Sequence, residues 1–575
     1  MHNRQVAETF SAMADILDIQ GANYHRIMAY RRAAENLATL GQPLEVLWLQ
    51  GELESIPGIG TTLASKIDEL MRTGELEAYR ELKAQVPEGV VAMLEITGIG
   101  PKSAARFWKE LGITSIDGLE RAARDGRLRE LSGFGARSEQ NVVDGIAMFR
   151  RRSGRTRLGD AWPLAQVMLE ALREVPGVVR AAPAGSLRRR RETVGDLDLL
   201  VASGDPEPVM GCFRDLPRVE EVMVSGPTKT SIRTSEGFQV DLRVLDPSRW
   251  GTALQYFTGS QAHNIRLRSL ALDRGLSLSE YALKREDGSE ILCSSEEEVY
   301  ASLGLPLIPP ELREDRGEID AALDGRLPRL IKLGDLRGDL QFHSTWSDGH
   351  HSLLRMAQAA HSHGLEYALV SDHSYGLGVA GGLTADQLLD QRAEIASVNQ
   401  QLGKAFRLLA GVEVEIRADG TLDLADDVLA HLELVVAAIH TGLRQDRERL
   451  TSRMLAAIRN PHVDIVAHPT GRLIGEREGG DLDMEAIFRA AADTGTAIEI
   501  NAHPSRLDLN DVHARRAIEL GVKLVVNSDA HDVSGFDDLV FGVATARRGW
   551  AVAGDVLNTL TVEDVLGWAG VTDRA

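Results

Sequence analysis

The sequence has almost no cysteine, since Cys212 and Cys293 are the only two among 575 residues. Two isolated thiols exclude a zinc site made of cysteines, and they are typical of a reducing cytoplasm. The sequence also lacks a run of about 18 or more apolar residues, so we expect no membrane-spanning helix. Residues 1–17 read as an amphipathic helix with acidic side chains, which argues against a signal peptide.

Positive charge is also scarce, because 64 Lys and Arg stand against 85 Asp and Glu, for a net charge of −21. The excess of negative charge is distributed unevenly along the chain. Residues 1–150 hold 17 basic and 21 acidic side chains (−4), residues 151–337 hold 27 and 29 (−2), and residues 338–575 hold 20 and 35 (−15). The first two segments can therefore still present basic faces to phosphate. Most histidines lie in the last segment, where a metal site would explain both excesses, with chance enrichment as the alternative.

One segment, residues 185–198, combines a Gly-Ser turn, four consecutive arginines and an Asp-x-Asp pair in GSLRRRRETVGDLD. Side chains alternate along a strand, so Asp196 and Asp198 share a face and repel each other unless a cation is present. Carboxylates at this spacing suit Mg²⁺ together with substrate phosphates. A second predicted strand, 239–245, adds Asp241 as the third carboxylate that two-metal nucleotidyl transfer needs. The alternative is a surface loop that leads into an acidic strand end.

An apolar-Gly-x-Gly segment recurs in the first 150 residues, as SIPGIG at 55–60, EITGIG at 95–100 and ELSGFG at 130–135. Each copy stands between two predicted helices, where the glycines permit a positive φ and the next helix offers unpaired N–H groups to a phosphate oxygen. The repeat resembles the helix-hairpin-helix motif, which binds the DNA backbone without reading sequence. The third copy, with Phe134 in its turn, is open to a purely structural interpretation. The candidate DNA-binding residues are Gly58, Gly60, Gly98 and Gly100.

From residue 338 the sequence alternates short apolar strands with helices, which is typical of a β/α barrel whose strand C-termini carry the chemistry. Histidines and carboxylates stand at those predicted strand ends. One such histidine is more often a structural residue, but eight candidates at successive strand ends indicate a metal-ligand set. Imidazoles with carboxylates suit Mn²⁺ or Zn²⁺, which would activate a water to attack phosphorus. The eight are His343, Asp348, His373, Glu413, His440, His468, Asp529 and His531.

Three segments, GSLRRRRETVGDLDLLV, VDLRV and LQYFTGSQAHNIRLRSLALDRGLSLSEY, resemble the palm and thumb of family X DNA polymerases. The resemblance implies that Asp196, Asp198 and Asp241 hold Mg²⁺ or Mn²⁺. It also places Lys66 at the Schiff-base position of the family's deoxyribose-phosphate lyase, with a merely DNA-facing lysine as the alternative. Gln239 departs from the family, because some members have there an arginine that orients the third aspartate.

The same resemblance implies a set of nucleotide contacts. Ser186 and Arg189 would bind the triphosphate, with Gly195 close to the nucleotide, whereas Arg190 and Arg191 have no family counterpart and no assigned role. The remaining implied contacts are Tyr256, Phe257 and Gly259 beside the incoming sugar, and Asn264 and Arg268 toward the base and the template.

Residues 338–575 resemble the polymerase-and-histidinol-phosphatase (PHP) domain, a family of phosphoesterases with a three-metal site. The resemblance implies two or three Mn²⁺ or Zn²⁺ ions and a 3′–5′ exonuclease, 3′-end phosphatase or abasic-endonuclease activity. Gln341 replaces the first histidine of the family's H-x-H motif, and an amide oxygen binds a soft ion less well than an imidazole does. His503 and Arg506 are candidates for a phosphate contact, with a place on the barrel rim as the alternative.

The expected fold is multidomain: all-α helix-hairpin-helix domains, an α/β nucleotidyltransferase palm with an α/β thumb, and a distorted β/α barrel. The expected function is short-gap filling in base excision repair, combined with metal-dependent processing of 3′ ends. The expected partners are gapped or nicked DNA and dNTPs, with no membrane, for a cytoplasmic monomer. Two alternatives remain: a metallophosphatase of small metabolites with a degenerate front half, and a non-catalytic scaffold that bridges DNA. The expected segments are 1–85 (helical, possible lyase), 86–155 (fingers-like), 156–255 (palm), 256–318 (thumb), 319–337 (linker) and 338–575 (barrel).

Overall fold

The computed structural model describes residues 3–38, 44–73, 76–96, 99–131, 133–152, 155–475, 477 and 479–570. They belong to two compact units, Met1–Gly154 and Arg155–Ala575. This division is coarser than the six expected segments, whose finer boundaries stay predictions. Within the described ranges, no helix combines the length and the apolar character that crossing a bilayer requires.

The first unit is built from α-helices around one apolar core, and its described residues contain no strand. The helices form because apolar residues recur at helical spacing and turn inward, so that Phe10, Ile67 and Phe107 are fully buried. The helices are α1 (Asn3–Gln20), α2 (Tyr24–Ala38), α3 (Leu44–Gln50), α4 (Thr61–Thr73), α5 (Glu77–Ala84), α6 (Glu88–Ala92), α7 (Pro101–Leu111), α8 (Ile116–Arg124) and α9 (Ala136–Arg152).

The second unit begins with an α/β palm. Its elements are β1 (Thr156–Arg157), α10 (Leu158–Arg173), β2 (Val178–Pro183), α11 (Gly185–Arg188), β3 (Thr193–Val194), β4 (Leu197–Ser203), α12 (Pro206–Arg214), β5 (Val219–Ser225), β6 (Lys229–Thr234) and β7 (Gln239–Leu245). Five strands form a sheet in the order β2-β4-β7-β6-β5, in which only β4 and β7 run parallel. The predicted alternation holds in β7, where Val240, Leu242 and Val244 are buried and the residues between them are not.

The thumb follows the palm. It contains α13 (Trp250–Thr258), α14 (Gln261–Leu272), the antiparallel strands β8 (Leu276–Leu278), β9 (Leu283–Arg285) and β10 (Glu290–Ile291), and α15 (Glu296–Ser302). Residues 311–337, which include the expected linker 319–337, contain one α-helix, α16 (Glu318–Leu323), and short 3₁₀ turns. Two charged side chains of this segment are buried: Arg313 pairs with Glu296, and Glu318 lies 2.6 Å from Nδ1 of His263.

The C-terminal part is a nearly closed barrel of seven parallel strands in chain order. The chain almost closes the ring where Phe342 bridges Ala530, and the backbone N–H of His343 donates to the Ala530 carbonyl at 2.8 Å. The predicted distorted β/α barrel is confirmed. Its elements are β11 (Gly338–Phe342), α17 (Leu353–Ser362), β12 (Tyr367–Val370), α18 (Ala385–Leu402), β13 (Arg407–Glu415), α19 (Asp426–Leu429), β14 (Leu434–Ala438), α20 (Arg447–Ile458), β15 (Ile465–Val466), α21 (Met484–Thr494), β16 (Ala497–Asn501), α22 (Asp511–Glu519), β17 (Leu524–Asn527), α23 (Leu539–Arg548) and α24 (Val562–Trp568).

Palm and barrel share part of one apolar core. The barrel residues Ile474, Leu507 and Phe541 belong to the cluster of buried side chains that fills the palm. The start of α10 is equally close to the barrel, because a Cβ on Gly159 would lie 2.3 Å from the Cβ of Pro504. The two parts therefore form one packed body.

Candidate active sites

The ends of β4 and β7 bring the three predicted carboxylates of the palm together. Asp198 and Asp241 are direct neighbours in the parallel register, and Asp196 stands immediately before β4. Burial, reinforced by the charges of Asp196 and Asp241, raises the pKa of Asp198 to about 7. Crowded carboxylates of this kind need a cation to remain charged together, so the donor set fits divalent metal ions.

The backbone before β4 comes unusually close to Asp198. The predicted Gly-Ser turn is a single helical turn, α11, because the N–H groups of Arg188 and Arg189 bond back to the carbonyls of Ala184 and Gly185. A Cβ on Gly185 would lie 2.1 Å from Asp198 Oδ2, and this glycine has a φ of 58°. Only glycine permits both the approach and the backbone conformation.

Asp241 has partners on its own strand and on the neighbouring strand β6. Gln239 donates from Nε2 to Asp241 Oδ1 at 3.1 Å, and Lys229 on β6 places Nζ 2.9 Å from Oδ2. Burial alone would raise the pKa of Asp241, but these contacts and one from Ser231 outweigh it and hold the pKa below its ordinary value. Gln239 therefore does contact the third aspartate, although it replaces the arginine of other family members.

A cavity of about 590 Å³ opens beside these carboxylates. All eight residues that the sequence analysis assigned to the nucleotide line it, although their roles there stay predictions. The lining residues are Arg155, Gly185, Ser186, Arg189, Arg191, Gly195, Asp196, Asp198, Tyr256, Phe257, Gly259, Gln261, Asn264 and Arg268.

The four consecutive arginines, 188–191, fall into two pairs. One pair lines this cavity, and the other pair contacts side chains elsewhere in the protein. Arg188 bonds Glu296 through both guanidinium nitrogens and Thr258 through one. Arg190 has a φ of 56° and lies over the ring of Trp162, with its guanidinium carbon 3.2 Å from the ring centre. These two arginines therefore stabilise the surroundings of the site rather than face the cavity.

Arg189 and Arg191 line the cavity together with Asp196 and Asp198. Arg189 is mostly buried, donates from Nε to Glu314 Oε1 at 3.1 Å and bonds the carbonyl of Thr258. Arg191 is more exposed and places Nη1 3.5 Å from Glu314 Oε2. Both positive charges are therefore held at the wall of the cavity.

The YFTGS segment and α14 form another wall. The rings of Tyr256 and Phe257 meet edge to face at 5.2 Å, and Arg243 lies over the ring of Phe257. Asn264 is buried, accepts from Gln255 at 2.8 Å and donates to the carbonyl of Tyr256 at 2.7 Å. Asn264 thus fixes the end of α13, whereas Arg268, one turn further along α14, is exposed.

The N-terminal unit presents the glycines of the hairpins at its surface. Gly58 and Gly60 are exposed, with Gly58 at a φ of 79°, while Ile56 and Ile59 anchor the turn in the core. Gly100 is exposed immediately before α7. Gly98 lies outside the described residues. Lys66 is half-buried on α4, the helix that follows the first hairpin.

All eight metal-ligand candidates of the barrel meet at one mouth. Ligand atoms from three overlapping groups each lie within 4.8 Å of one another: His343, Asp348, His373 and His531; His373, Glu413 and His440; and His343, Glu413 and Asp529. His468 joins them through Glu413. Burial lowers the pKa of His373 to about 4, which keeps its imidazole in the neutral form that binds metals.

Glu413 on β13 is the centre of this cluster. Its Oε1 lies 2.9 Å from Nε2 of His468 and 3.3 Å from Nε2 of His440, and its Oε2 lies 3.2 Å from Nδ1 of His373 and 3.4 Å from Nε2 of His343. Four imidazoles converge on one fully buried carboxylate. This arrangement fits several divalent ions that share a bridging carboxylate.

Gln341 lies on β11 within the same mouth. It is fully buried, and neither its Oε1 nor its Nε2 has a hydrogen-bond partner among the described residues. Its backbone carbonyl accepts from the N–H of Asp529 at 3.1 Å, which places it next to a ligand. A buried amide without a partner fits an oxygen donor to a hard cation.

Three models of protein families match parts of the chain. A helix-hairpin-helix domain matches residues 1–76, a SAM-like helix-hairpin-helix tandem matches 90–147, and a DNA polymerase beta thumb matches 253–314. A Bacillus subtilis (strain 168) protein named DNA polymerase/3′-5′ exonuclease PolX is 40% identical over 568 residues, 98% of this chain and 99% of that protein. This chain belongs to the PolX family.

Two more relatives match single regions and agree with membership of the PolX family. DNA polymerase lambda of Rattus norvegicus is 26% identical over 344 residues, 54% of this chain and 56% of that protein. A protein of Thermoanaerobacter sp. (strain X514) named as a probable phosphatase is 32% identical over 212 residues, 34% of this chain and 80% of that protein. The resemblance to family X polymerases drawn from the motifs is confirmed.

Sequence reasoning missed several residues of this PolX chain that support the sites. Glu415 accepts from Nδ1 of His440 at 2.8 Å, and Asn501 donates to Asp529 at 2.9 Å. The signal for Glu415 was present, because GVEVEI places it two residues after Glu413 and therefore on the same face of β13. No sequence signal marked Lys229, because its pairing with Asp241 depends on the register of β6.

Proposed function

We propose that the chain is a DNA polymerase that fills short gaps during base excision repair and that processes 3′ ends at a second metal-dependent site. The observation that supports it most is the cavity of the palm. Its walls combine two crowded carboxylates, which lie beside a third, with two restrained arginines and an aromatic pair beside a glycine. No small phosphomonoester needs all three features together, whereas an incoming nucleotide on a primer end does.

In the palm, Asp196, Asp198 and Asp241 would hold two Mg²⁺ or Mn²⁺ ions. Bound there, such ions activate a 3′-hydroxyl and stabilise the leaving pyrophosphate. Ser186 and Arg189 bind the triphosphate, because a guanidinium can donate two parallel hydrogen bonds to phosphate oxygens.

The sugar and base of the incoming nucleotide would lie against the thumb side of the cavity. Tyr256 and Phe257 pack beside the sugar, and Gly259 adds no side chain there. A Cβ on Gly259 would also crowd the triphosphate-binding Arg189, at 3.0 Å from its Nη1. Gly195 lets the chain pass close to the nucleotide. Asn264 and Arg268 face the base and the template.

In the barrel, the eight clustered ligands would hold two or three Mn²⁺ or Zn²⁺ ions, with Gln341 as an added oxygen donor. Bound there, such ions activate a water for attack on a phosphodiester. Arg506 supports this reading, since its Nε lies 3.8 Å from Asp529 Oδ2 at the same mouth and can meet a phosphate. The reaction proposed is the 3′–5′ trimming of a DNA end.

The N-terminal unit would bind the DNA backbone through the N–H groups that follow Gly58, Gly60 and Gly100. Because hairpin contacts of this kind reach only phosphates, we propose binding that is independent of sequence and weakened by salt. A cytoplasmic, monomeric enzyme acting on gapped or nicked DNA with dNTPs completes the proposal.

The test uses one gapped duplex, 5′-phosphorylated downstream and labelled on the primer, with Mg²⁺ or Mn²⁺ and with or without dNTPs. We expect Asp198→Asn to abolish primer extension and to keep 3′ trimming, and His468→Ala to do the reverse. Matched controls are Asp205→Asn, which changes a capping aspartate of the same palm, and His431→Ala, which changes an exposed histidine of the same barrel.

Each alternative predicts a distinct pattern in the same assay. Extension at the wild-type rate by Asp198→Asn would refute the palm assignment. Loss of both activities in His468→Ala would argue against two separate sites. Hydrolysis of a small phosphomonoester without either DNA activity would favour the metabolite phosphatase, and salt-sensitive binding without turnover would favour the scaffold.

A further inference from the structure

A buried side chain of the barrel bonds the segment that carries Arg189 into the cavity wall. Arg548, the last residue of α23, is 5% exposed. Its Nη1 donates to the backbone carbonyl of Arg189 at 2.8 Å and to Glu314 Oε1 at 3.0 Å, and its Nη2 donates to Asp511 Oδ2 at 2.7 Å. One guanidinium therefore joins the barrel to the palm and to Glu314 at the end of the thumb.

The oxygen that Arg548 bonds on Glu314 is the one that also holds Arg189. Glu314 Oε1 accepts from Arg189 Nε at 3.1 Å, and the other oxygen lies 3.5 Å from Arg191 Nη1. Glu314 is thus a buried carboxylate shared by three arginines, two of which line the nucleotide cavity. Arg548 acts on Arg189 twice, directly at its backbone and through Glu314 at its side chain.

The support behind Arg548 is rigid. Its helix, α23, also carries Phe541, which is buried in the core that the palm and barrel share. Asp511, at the start of α22, bonds both Arg548 and Arg316, and Arg316 follows Glu314 by two residues. Arg548 is therefore held in place by its own partners in the barrel where it contacts the palm.

We propose that Arg548 is a positioning residue of the polymerase site, through which the barrel holds the loop 185–191 and orients Arg189 toward the triphosphate. The proposal rests on the proposed polymerase function. Without Arg548, the carbonyl of Arg189 loses its donor and Glu314 loses one of its partners. Nucleotide binding would then have to order the loop, and that ordering lowers affinity without changing the reacting groups.

The neighbouring Arg547 provides a matched control. It lies on the same helix, bonds Glu311 at 2.8 Å and the carbonyl of Ile331 at 2.8 Å, and both partners lie outside the loop 185–191. Arg547→Met removes the same charge from the same interface. General loosening of the contact between palm and barrel should affect both variants, whereas positioning of the loop should affect only Arg548→Met.

The experiment compares Arg548→Met, Arg548→Lys and Arg547→Met in the full chain. We expect Arg548→Met to raise the KM for dNTP about tenfold, the equivalent of one lost hydrogen bond from a charged donor. We expect kcat to stay within about twofold, 3′ trimming to be unchanged, and backbone hydrogen exchange in the loop 185–191 to become faster. Arg548→Lys should be intermediate, because lysine keeps the charge but loses the planar fork. Arg547→Met should behave as the wild type.

Several outcomes would overturn the proposal: an unchanged KM in Arg548→Met, faster exchange without a change in KM, or the same changes in Arg547→Met. Hydrogen exchange and equilibrium binding of a fluorescent dNTP need no turnover. A wild-type chain that cannot extend a primer would therefore refute the polymerase function, while these two measurements still decide the role of Arg548. If Arg548→Met does not fold, Asp511→Asn removes the barrel-side anchor of Arg548, and the same measurements apply.

Discussion

Gly185→Ala tests directly whether Asp198 has to stand where the structure places it. The substitution puts a methyl carbon 2.1 Å from Asp198 Oδ2, whereas ordinary Cβ contacts begin near 3.4 Å. The carboxylate or the α11 backbone must therefore retreat by about 1.3 Å, the difference between these two distances. The carboxylate has little room to turn, because Asp196 and Asp241 flank it and repel it.

The magnitude follows from that displacement. A shift of about 1 Å in a reacting group costs on the order of 100-fold in rate. The left-handed backbone conformation of residue 185 adds about 1–2 kcal/mol of strain for alanine, which lowers stability but does not act on the chemistry itself. We therefore expect a loss of about 100-fold or more in nucleotide incorporation, together with a folded protein.

Single-turnover incorporation on a gapped duplex at saturating dNTP and metal measures this loss. Gly204→Ala is the matched control, because a Cβ there, at the end of β4 in the same palm, meets no atom within 4 Å. The 3′ trimming activity of both variants should match that of the wild type, which reports that the barrel has folded. Incorporation by Gly185→Ala at a rate close to that of Gly204→Ala would refute the reasoning.

Three further predictions concern other sites. Glu415→Gln weakens the hold on His440, so the Mn²⁺ concentration for half-maximal trimming should rise about 10- to 100-fold with extension unchanged. Lys66→Ala should abolish borohydride trapping to a 5′-deoxyribose-phosphate end but keep gap filling; trapping that persists would exclude this lysine. Burial, reinforced by the charge of Asp537, raises the pKa of Asp538 to about 7. The protonated carboxyl therefore stabilises the fold at low pH, and this contribution to the free energy of unfolding is lost as pH rises from 4 to 7. Asp538→Asn should therefore raise the Tm at pH 8 but not at pH 4.

The chemistry of the palm could be predicted from the sequence, because it depends on local alternation. The strand pattern around Asp241 put it on a polar face, and β7 has that face. The run of arginines could not be interpreted in the same way. Arg188 and Arg190 turn to Glu296 and Trp162, partners that only the packing of distant segments brings near. The composition of the Gly-Ser pair predicted a turn, and the backbone there forms the short helix α11.

The barrel was more predictable than the palm, because each strand is a short apolar run with its ligand at the end. Parallel strands place their C-terminal ends at one mouth of the barrel, so ligands that are far apart in the sequence come close together in space. The supporting residues were less visible. Asp372 accepts from Ser344 and Gln391, and no motif connects these three positions. The roles of the interface arginines, Arg548 above all, depend on how the palm packs against the barrel. No periodicity in the sequence predicts that packing.

The core shared by palm and barrel has a consequence for how such a chain can be divided. Ile474, Leu507 and Phe541 cover palm side chains that would otherwise face water. A fragment that stops after the thumb would expose that apolar surface, so we expect the palm to be less stable without the barrel than within the full chain.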